Sequence, residues 1–103
     1  GTSLNASDVI DGGADTTDAL TATLGNSVVR LNATNLETAT ITLAEAAGGG
    51  MDFSAGQSVT TLTVAATAGA SATITNFAGG TVNISDTDVT DLAVDTISGA
   101  TLT

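Results

Sequence analysis

The sequence predicts an all-β fold, a parallel β-solenoid of the β-helix or β-roll kind, with one strand and one turn about every ten residues. Two apolar columns and the polar residues between them predict it. The first column is Leu20, Leu31, Ile41, Met51, Leu62, Ala72, Val82, Leu92 and Leu102. The second follows two residues later as Ala22, Ala33, Leu43, Phe53, Val64, Ile74, Ile84 and Val94. Between them lie mostly polar residues, such as Thr21, Asn32, Thr42, Asp52, Thr63, Thr73 and Asn83. This alternation is typical of a strand with one buried side.

The composition also favours stacked repeats over a globular sandwich. Among 103 residues there are 12 Gly, no Pro and only two aromatic residues, Phe53 and Phe77. The apolar residues are mostly Ala, Val, Leu and Ile, which make a thin core. A solenoid needs no large central core, because each repeat contacts only its neighbours.

The period leaves three topologies open: two strand–turn units per coil, three units per coil, or a meander of hairpins. Tight hairpin signals such as Asn-Gly are missing, which weakens the meander. Outward pairs about twenty residues apart favour two units per coil. They are Thr21/Thr23, Thr40/Thr42, Thr61/Thr63 and Thr81/Asn83, whereas the units between them carry Arg30/Asn32, Gly50/Asp52 and Ser71/Thr73. One face of the solenoid is therefore predicted to be Thr-rich and the other mixed.

The same patterns divide the chain into two segments. Residues 1–18 form an acidic, Gly- and Asp-containing leading segment of loops and turns, with one short strand around Val9 and Ile10. Residues 19–103 carry the repeats. The pattern stops at Thr103 in the middle of a strand, so we expect the chain to be an excerpt of a longer protein.

The charge balance and the missing residue types exclude several functions. Eleven carboxylates face one base, Arg30, giving a net charge of −10. Such a surface repels phosphate, so we expect neither nucleic-acid binding nor attachment to an anionic membrane. No apolar run is long enough for membrane insertion. Without His, Lys or Cys there is no general base for a nucleophilic triad and no zinc site. We therefore expect no enzymatic activity.

Hard-cation binding is the chemistry that remains. Calcium takes six to eight oxygen ligands from carboxylates, carbonyls and water. The predicted calcium ligands form two groups: Asp8, Asp11, Asp15 and Asp18 in the first, and Asp86, Asp88, Asp91 and Asp95 in the second. Neither group has the spacing of an EF-hand. The alternative is that these carboxylates are solvated turn residues.

Other polar residues receive simpler interpretations. Asn76 adds an oxygen to the second group if its turn adjoins that of Asp86. Glu37, Glu45 and Asp52 look isolated and are interpreted as surface residues. Arg30 either pairs with Asp52, which lies outward two units later in a two-sided coil, or remains a solvated charge of little energetic value.

Two stretches carry a family resemblance. DGGADTTDALTATL (11–24) resembles a degenerate RTX repeat, the calcium-binding GGxGxDxUx nonapeptide, with Asp15 at the position of its third glycine. NLETATITLA (35–44) is similar to the stretch that follows such motifs in bacterial RTX-type surface-layer (S-layer) proteins. The resemblance implies a right-handed β-solenoid, secretion to the bacterial cell surface, calcium-dependent folding and assembly into a two-dimensional lattice.

The function expected is therefore structural: an extracellular, calcium-stabilised segment of a bacterial S-layer lattice or large adhesin. It would self-associate through lattice or fibre contacts, and cell-surface polysaccharide would contact other parts of the parent protein. The alternative is a flat-surface binding module, such as an ice-binding (antifreeze) face made of a Thr-x-Thr ladder. A polysaccharide-contacting passenger domain is disfavoured because Trp and Tyr are missing.

Overall fold

The computed structural model of the chain is all-β. It describes residues 4–5, 7–44, 49–66, 70–78, 80–84 and 89–96, with the backbone alone for residues 66, 70 and 89–96. Its strands are β1 (Ile10–Asp11), β2 (Ala19–Leu24), β3 (Val28–Thr34), β4 (Thr38–Leu43), β5 (Gly49–Ala55), β6 (Thr61–Ala66), β7 (Ala70–Phe77), β8 (Thr81–Ile84) and β9 (Val89–Thr96). No helix occurs in these described residues.

The strands alternate between two parallel sheets. One sheet has the order β1-β3-β5-β7-β9, and the other has the order β2-β4-β6-β8. We call them the odd sheet and the even sheet. Every pairing between the described strands is parallel, so the hairpin meander, which needs antiparallel neighbours, is wrong for them. The all-β fold and the alternation of successive units between two faces are confirmed.

The register of the even sheet differs from the predicted alignment at one step. Thr40 lies beside Thr63 and Thr42 beside Ala65, whereas the outward pairs in the sequence aligned Thr40/Thr42 with Thr61/Thr63. Two five-residue connections, 44–48 and 56–60, separate β4 from β6, whereas the connections 25–27, 35–37, 67–69 and 78–80 have three residues, so the longer pair takes up the extra residues. A shift of two residues keeps every side chain on its own face, because the side-chain period of a strand is two.

The core lies between the two sheets and is wholly apolar in the described part of the chain. Its buried members are Leu24, Leu31, Ala33, Leu36, Ala39, Ile41, Leu43, Met51, Phe53, Val59, Leu62, Val64, Ala72, Ile74 and Phe77. Both sheets contribute to this one cluster. The rings of Phe53 and Phe77 meet edge to face, with centroids 5.2 Å apart and planes at 67°. Most described members of both predicted apolar columns therefore lie in or against the core, whereas Ile84 is 46 % exposed and the side chains of Leu92, Val94 and Leu102 lie outside the described part.

Close packing of neighbouring backbones in the odd sheet explains why residue 50 is a glycine. Gly50 pairs with Thr73 on the neighbouring strand. A Cβ atom at position 50 would overlap the carbonyl oxygen of Thr73, a backbone atom that cannot move without breaking the pairing. Glycine is therefore required at this point of β5.

We expect Gly50→Ala to destabilise the protein by about 1–3 kcal/mol, the usual cost of forcing an extra carbon into a packed interior. Urea unfolding measures the change as a lower midpoint. The matched control is Gly25→Ala, because a Cβ there meets no atom within 4 Å. The control should change stability by no more than about 0.5 kcal/mol. Equal midpoints for the two variants would contradict the close approach.

Candidate functional site

The first candidate site is a turn in which an aspartate of one repeat holds an asparagine of the next. β1 ends at Asp11, and its Oδ1 accepts hydrogen bonds from the backbone N–H of Gly13 (3.0 Å) and from the side-chain amide of Asn35 (2.9 Å). Asn35 follows β3 in a left-handed conformation, with φ at 53°. Asparagine adopts this conformation more readily than most residues, because its short polar side chain bonds locally.

The same arrangement recurs two strands further along the odd sheet. Oδ1 of Asp52 accepts from the backbone N–H of Ser54 (2.9 Å) and from the side-chain amide of Asn76 (2.8 Å), whose φ is 56°. In both copies a threonine, Thr34 or Thr75, precedes the asparagine. We call each copy an Asp–Asn turn. It ties an aspartate of one strand to an asparagine at or just beyond the end of the neighbouring strand of the next repeat.

These hydrogen bonds favour the ionised aspartates. The Asn35 amide, followed by the backbone N–H of Gly13, lowers the pKa of Asp11 below its ordinary value. The Asn76 amide, followed by the backbone N–H of Ser54, does the same to the pKa of Asp52. An acceptor-only carboxylate holds these donors best, and protonation weakens the arrangement. Both turns therefore stabilise the fold above the ordinary pKa of aspartate and lose that contribution as pH falls.

Arg30 joins the second Asp–Asn turn. It lies beside Asp52 in the register of β3 and β5, whereas the outward pairs in the sequence aligned it with Gly50. Its Nε donates to Oγ of Ser54 at 3.3 Å, and that hydroxyl donates to Oδ2 of Asp52 at 3.2 Å. The serine hydroxyl thus relays the contact between the base and the carboxylate. The pair is solvent-facing, so its contribution to stability is small.

A second recurring feature links the corners that lead into the even sheet. The carbonyl of Asp18 accepts from the N–H groups of Glu37 and Thr38, at 3.2 and 3.1 Å. The carbonyl of Glu37 accepts in the same way from Thr60 and Thr61, at 2.9 and 3.2 Å. The carbonyl of Thr60 then accepts from the N–H groups of residues 80 and 81, both at 3.2 Å. We call this series the corner ladder.

At the first rung of the corner ladder, the carboxylate of Glu37 also contacts the backbone of Asp18. The backbone N–H of Asp18 donates to Oε2 of Glu37 at 2.9 Å. Oδ2 of Asp18 is buried and has no hydrogen-bond partner in the described part of the chain. A buried, unpartnered carboxylate oxygen is costly unless something compensates its charge. Glu37 and Asp52 are therefore not isolated, although neither is buried, and Glu45 lies outside the described residues.

The predicted calcium ligands are distributed as follows. Asp8 Oδ2 accepts from the backbone and side-chain amides of Asn5, at 2.9 and 3.2 Å, and Asp11 is held in its Asp–Asn turn. Asp15 is exposed and Asp18 is half-buried. Within the described ranges, no three carboxylates come together in one group. Asp91 and Asp95 lie in β9, where only the backbone is described, and Asp86 and Asp88 lie outside the described residues.

A hollow of about 380 Å³ lies where the odd sheet begins. It is lined by Leu4, Asn5, Gly25, Asn26, Ser27, Val28, Val29 and Arg30. β1 covers only Ala33 and Thr34 of β3, so the earlier part of β3 borders this hollow instead of a strand. Val28 is 50 % exposed there. The lining carries one charged side chain, Arg30, and no carboxylate, so it offers no acid–base pair for hydrolysis.

Comparison with models of known families, with curated proteins and with solved structures finds no match to this chain. In the part of the chain that is described, no helix is long and apolar enough to cross a membrane. The functional argument therefore starts from the residues of the Asp–Asn turns, the corner ladder and the two sheets.

We expect Asn76→Gly to raise the pKa of Asp52 towards its ordinary value of about 3.9, because the largest cause of its lowering is removed while positive φ stays accessible. The loss of stability on acidification below about pH 4 should become smaller, since less of it then comes from Asp52. A carboxyl-carbon NMR titration gives the pKa, and urea unfolding against pH gives the stability. The matched control is Asn26→Gly in an exposed connection. If the pKa of Asp52 is the same in Asn76→Gly and Asn26→Gly, the hydrogen bond from Asn76 to Asp52 is contradicted.

Proposed function

We propose that this chain is a structural segment of an extracellular bacterial cell-surface protein, an S-layer lattice or a large adhesin. In this proposal the two sheets are the faces of a β-solenoid with two strands per coil. The corner ladder carries the proposal, because the same backbone hydrogen bonds join each described repeat to the next. A fold built from nearest-neighbour contacts extends by adding repeats, which suits a spacer or a lattice element.

The residues available for chemistry support a structural role over catalysis. The chain has no His, and its one base, Arg30, is bound to Ser54. Asp11 and Asp52 are engaged as acceptors in the Asp–Asn turns and hold their neighbours in place. Groups committed in this way stabilise corners, and a general acid or base would instead need a proton to exchange with a substrate.

Self-association is the partner interaction that the proposal includes. Among the described strands, β1 pairs with only the end of β3, so the earlier part of β3 borders a hollow and would offer an edge to a strand of another copy. Each chain carries a net charge of −10, so copies repel one another unless cations lie between them. A lattice of such chains is therefore expected to depend on divalent cations.

Calcium fits best at the first rung of the corner ladder. Asp18 and Glu37 come from adjacent repeats, and Oδ2 of Asp18 lacks a partner among the described residues. A cation there would compensate the buried oxygen and join two repeats, with water completing the shell of six to eight oxygens. Asp8 and Asp11 are less suited, because each already accepts two hydrogen bonds from the protein and neither has a buried oxygen without a partner in the described residues. The second predicted group, Asp86, Asp88, Asp91 and Asp95, stays a prediction.

We expect calcium to raise the melting temperature relative to EGTA, and magnesium to raise it much less. At a calcium concentration one hundred times Kd the gain is about 2.7 kcal/mol. For a chain of this size that corresponds to about 10–20 °C in Tm. Circular dichroism measures it. Asp18→Asn should remove most of the gain, whereas the control Asp15→Asn, at an exposed position, should keep it. A Tm that is the same in calcium and EGTA would reject the calcium part of the proposal.

We also expect concentration-dependent assembly in calcium and its reversal by EGTA. Small-angle scattering over a range of protein concentrations follows the size of the particles, and negative-stain images distinguish fibres from sheets. Sodium chloride screens the repulsion among the Asp and Glu side chains. At the same ionic strength, we expect less assembly in sodium chloride than in calcium. Compact monomers in both solutions at high concentration would reject lattice assembly by this segment while leaving the calcium effect on Tm untouched.

A further inference from the structure

The outward side of the even sheet is a regular array of threonines. Three rows run across its strands. The rows are Ala19–Thr38–Thr61–Thr81, then Thr21–Thr40–Thr63–Asn83, then Thr23–Thr42–Ala65. We call this surface the threonine face. Its residues are exposed or half-buried, so their hydroxyl and methyl groups reach the solvent.

The register makes the threonine face more regular than the opposite one. The pairings β2–β4, β4–β6 and β6–β8 run without a register shift. The odd sheet has shifts between β3 and β5 and between β7 and β9. In an unbroken sheet, neighbours in one row lie about 4.8 Å apart and successive rows lie about 6.6 Å apart. The threonine face therefore repeats in two directions.

The charges of the strands lie on the other sheet. Charged residues within strands are Asp11, Arg30, Asp52, Asp91 and Asp95, and all five belong to strands of the odd sheet. The described strands of the even sheet contain none. A chain with a net charge of −10 thus presents one neutral face. The ligand of this face is expected to be uncharged, since no ionic group is there to recognise charge.

Two candidate occupants fit poorly. The even sheet offers only about 400 Å², taking four strands of about six residues, whereas a stable interface buries about 800 Å² per partner. Repulsion between two chains of charge −10 weakens a dimer further. Crystalline polysaccharide is held by aromatic rings stacked on sugars, but Phe53 and Phe77 are both 0 % exposed. The remaining kind of ligand is one that matches a regular array of uncharged hydroxyl groups, which donate and accept hydrogen bonds.

We propose that the threonine face binds crystalline water, that is, the surface of ice. Threonine hydroxyls both donate and accept, as water molecules in ice do, and the methyl groups between them favour ordered water over bulk water. The β-branched side chain has few rotamers, so little side-chain entropy is lost on binding. Thr40 and Thr63 occupy the centre of the array. Thr38 lies at one border, where its hydroxyl donates to the carbonyl of Asp18 at 3.0 Å.

The test is thermal hysteresis, the gap between the melting and freezing temperatures of an ice crystal in the protein solution. The folded wild-type chain should produce the gap, and Thr40→Lys should abolish it by placing a long charged side chain at the centre of the face. The matched control is Thr73→Lys, which changes an exposed threonine of the odd sheet and should keep the gap. Circular dichroism confirms that both variants stay folded. If Thr40→Lys unfolds, Thr40→Val replaces it, because Val keeps the shape and removes only the hydroxyl.

Three results would overturn the proposal. One is a folded wild-type chain without thermal hysteresis and without enrichment in slowly grown ice. A second is equal loss of hysteresis in the two lysine variants, which would remove the assignment to the threonine face. The third is a dimer in sedimentation, or sedimentation of the protein with cellulose or chitin, that Thr40→Lys abolishes and Thr73→Lys does not. These results are independent of the calcium effect on Tm, so each proposal is tested separately.

Discussion

The parallel backbone pairing between successive repeats is the interaction on which the rest of this structure depends. A single repeat has two short strands and a few small apolar side chains, which cannot form a core alone. Pairing places Ile41 beside Val64 and Met51 beside Ile74, so the inward side chains of adjacent repeats form continuous rows. The two sheets then bury these rows against each other. The apolar core follows from the register, and the register follows from the pairing.

The corners are specified separately from the strands. The Asp–Asn turns fix two corners of the odd sheet through charged acceptors, and the corner ladder fixes those of the even sheet through backbone carbonyls. Most carboxylates in the described residues therefore accept structural hydrogen bonds. Asp18 differs from them, because its Oδ2 is buried without a partner in the described residues.

The sequence predicted the strands well because their signal is local. Alternating residues such as Leu62, Thr63 and Val64 are enough to assign a strand and its two faces. The register between β4 and β6 was predicted two residues out, because the length of the intervening turn decides it and a period does not. The partners of Asp52 and Glu37 were missed for a related reason. Asn76 and Asp18 lie a full repeat away, so only the pairing reveals them. The recurrence of Thr-Asn at 34–35 and 75–76 was the available signal.

The spacing of the two Asp–Asn turns has an evolutionary consequence. One joins β1 to the residue after β3 and the other joins β5 to β7, so they recur two strands apart in the described part of the odd sheet. Two coils, and not one, are thus the smallest unit that reproduces itself with all its corner contacts. Duplication of such a unit within a gene would insert a block whose ends already match their neighbours. The length of a protein built in this way is free to change by whole blocks, without any alteration in the residues of the others.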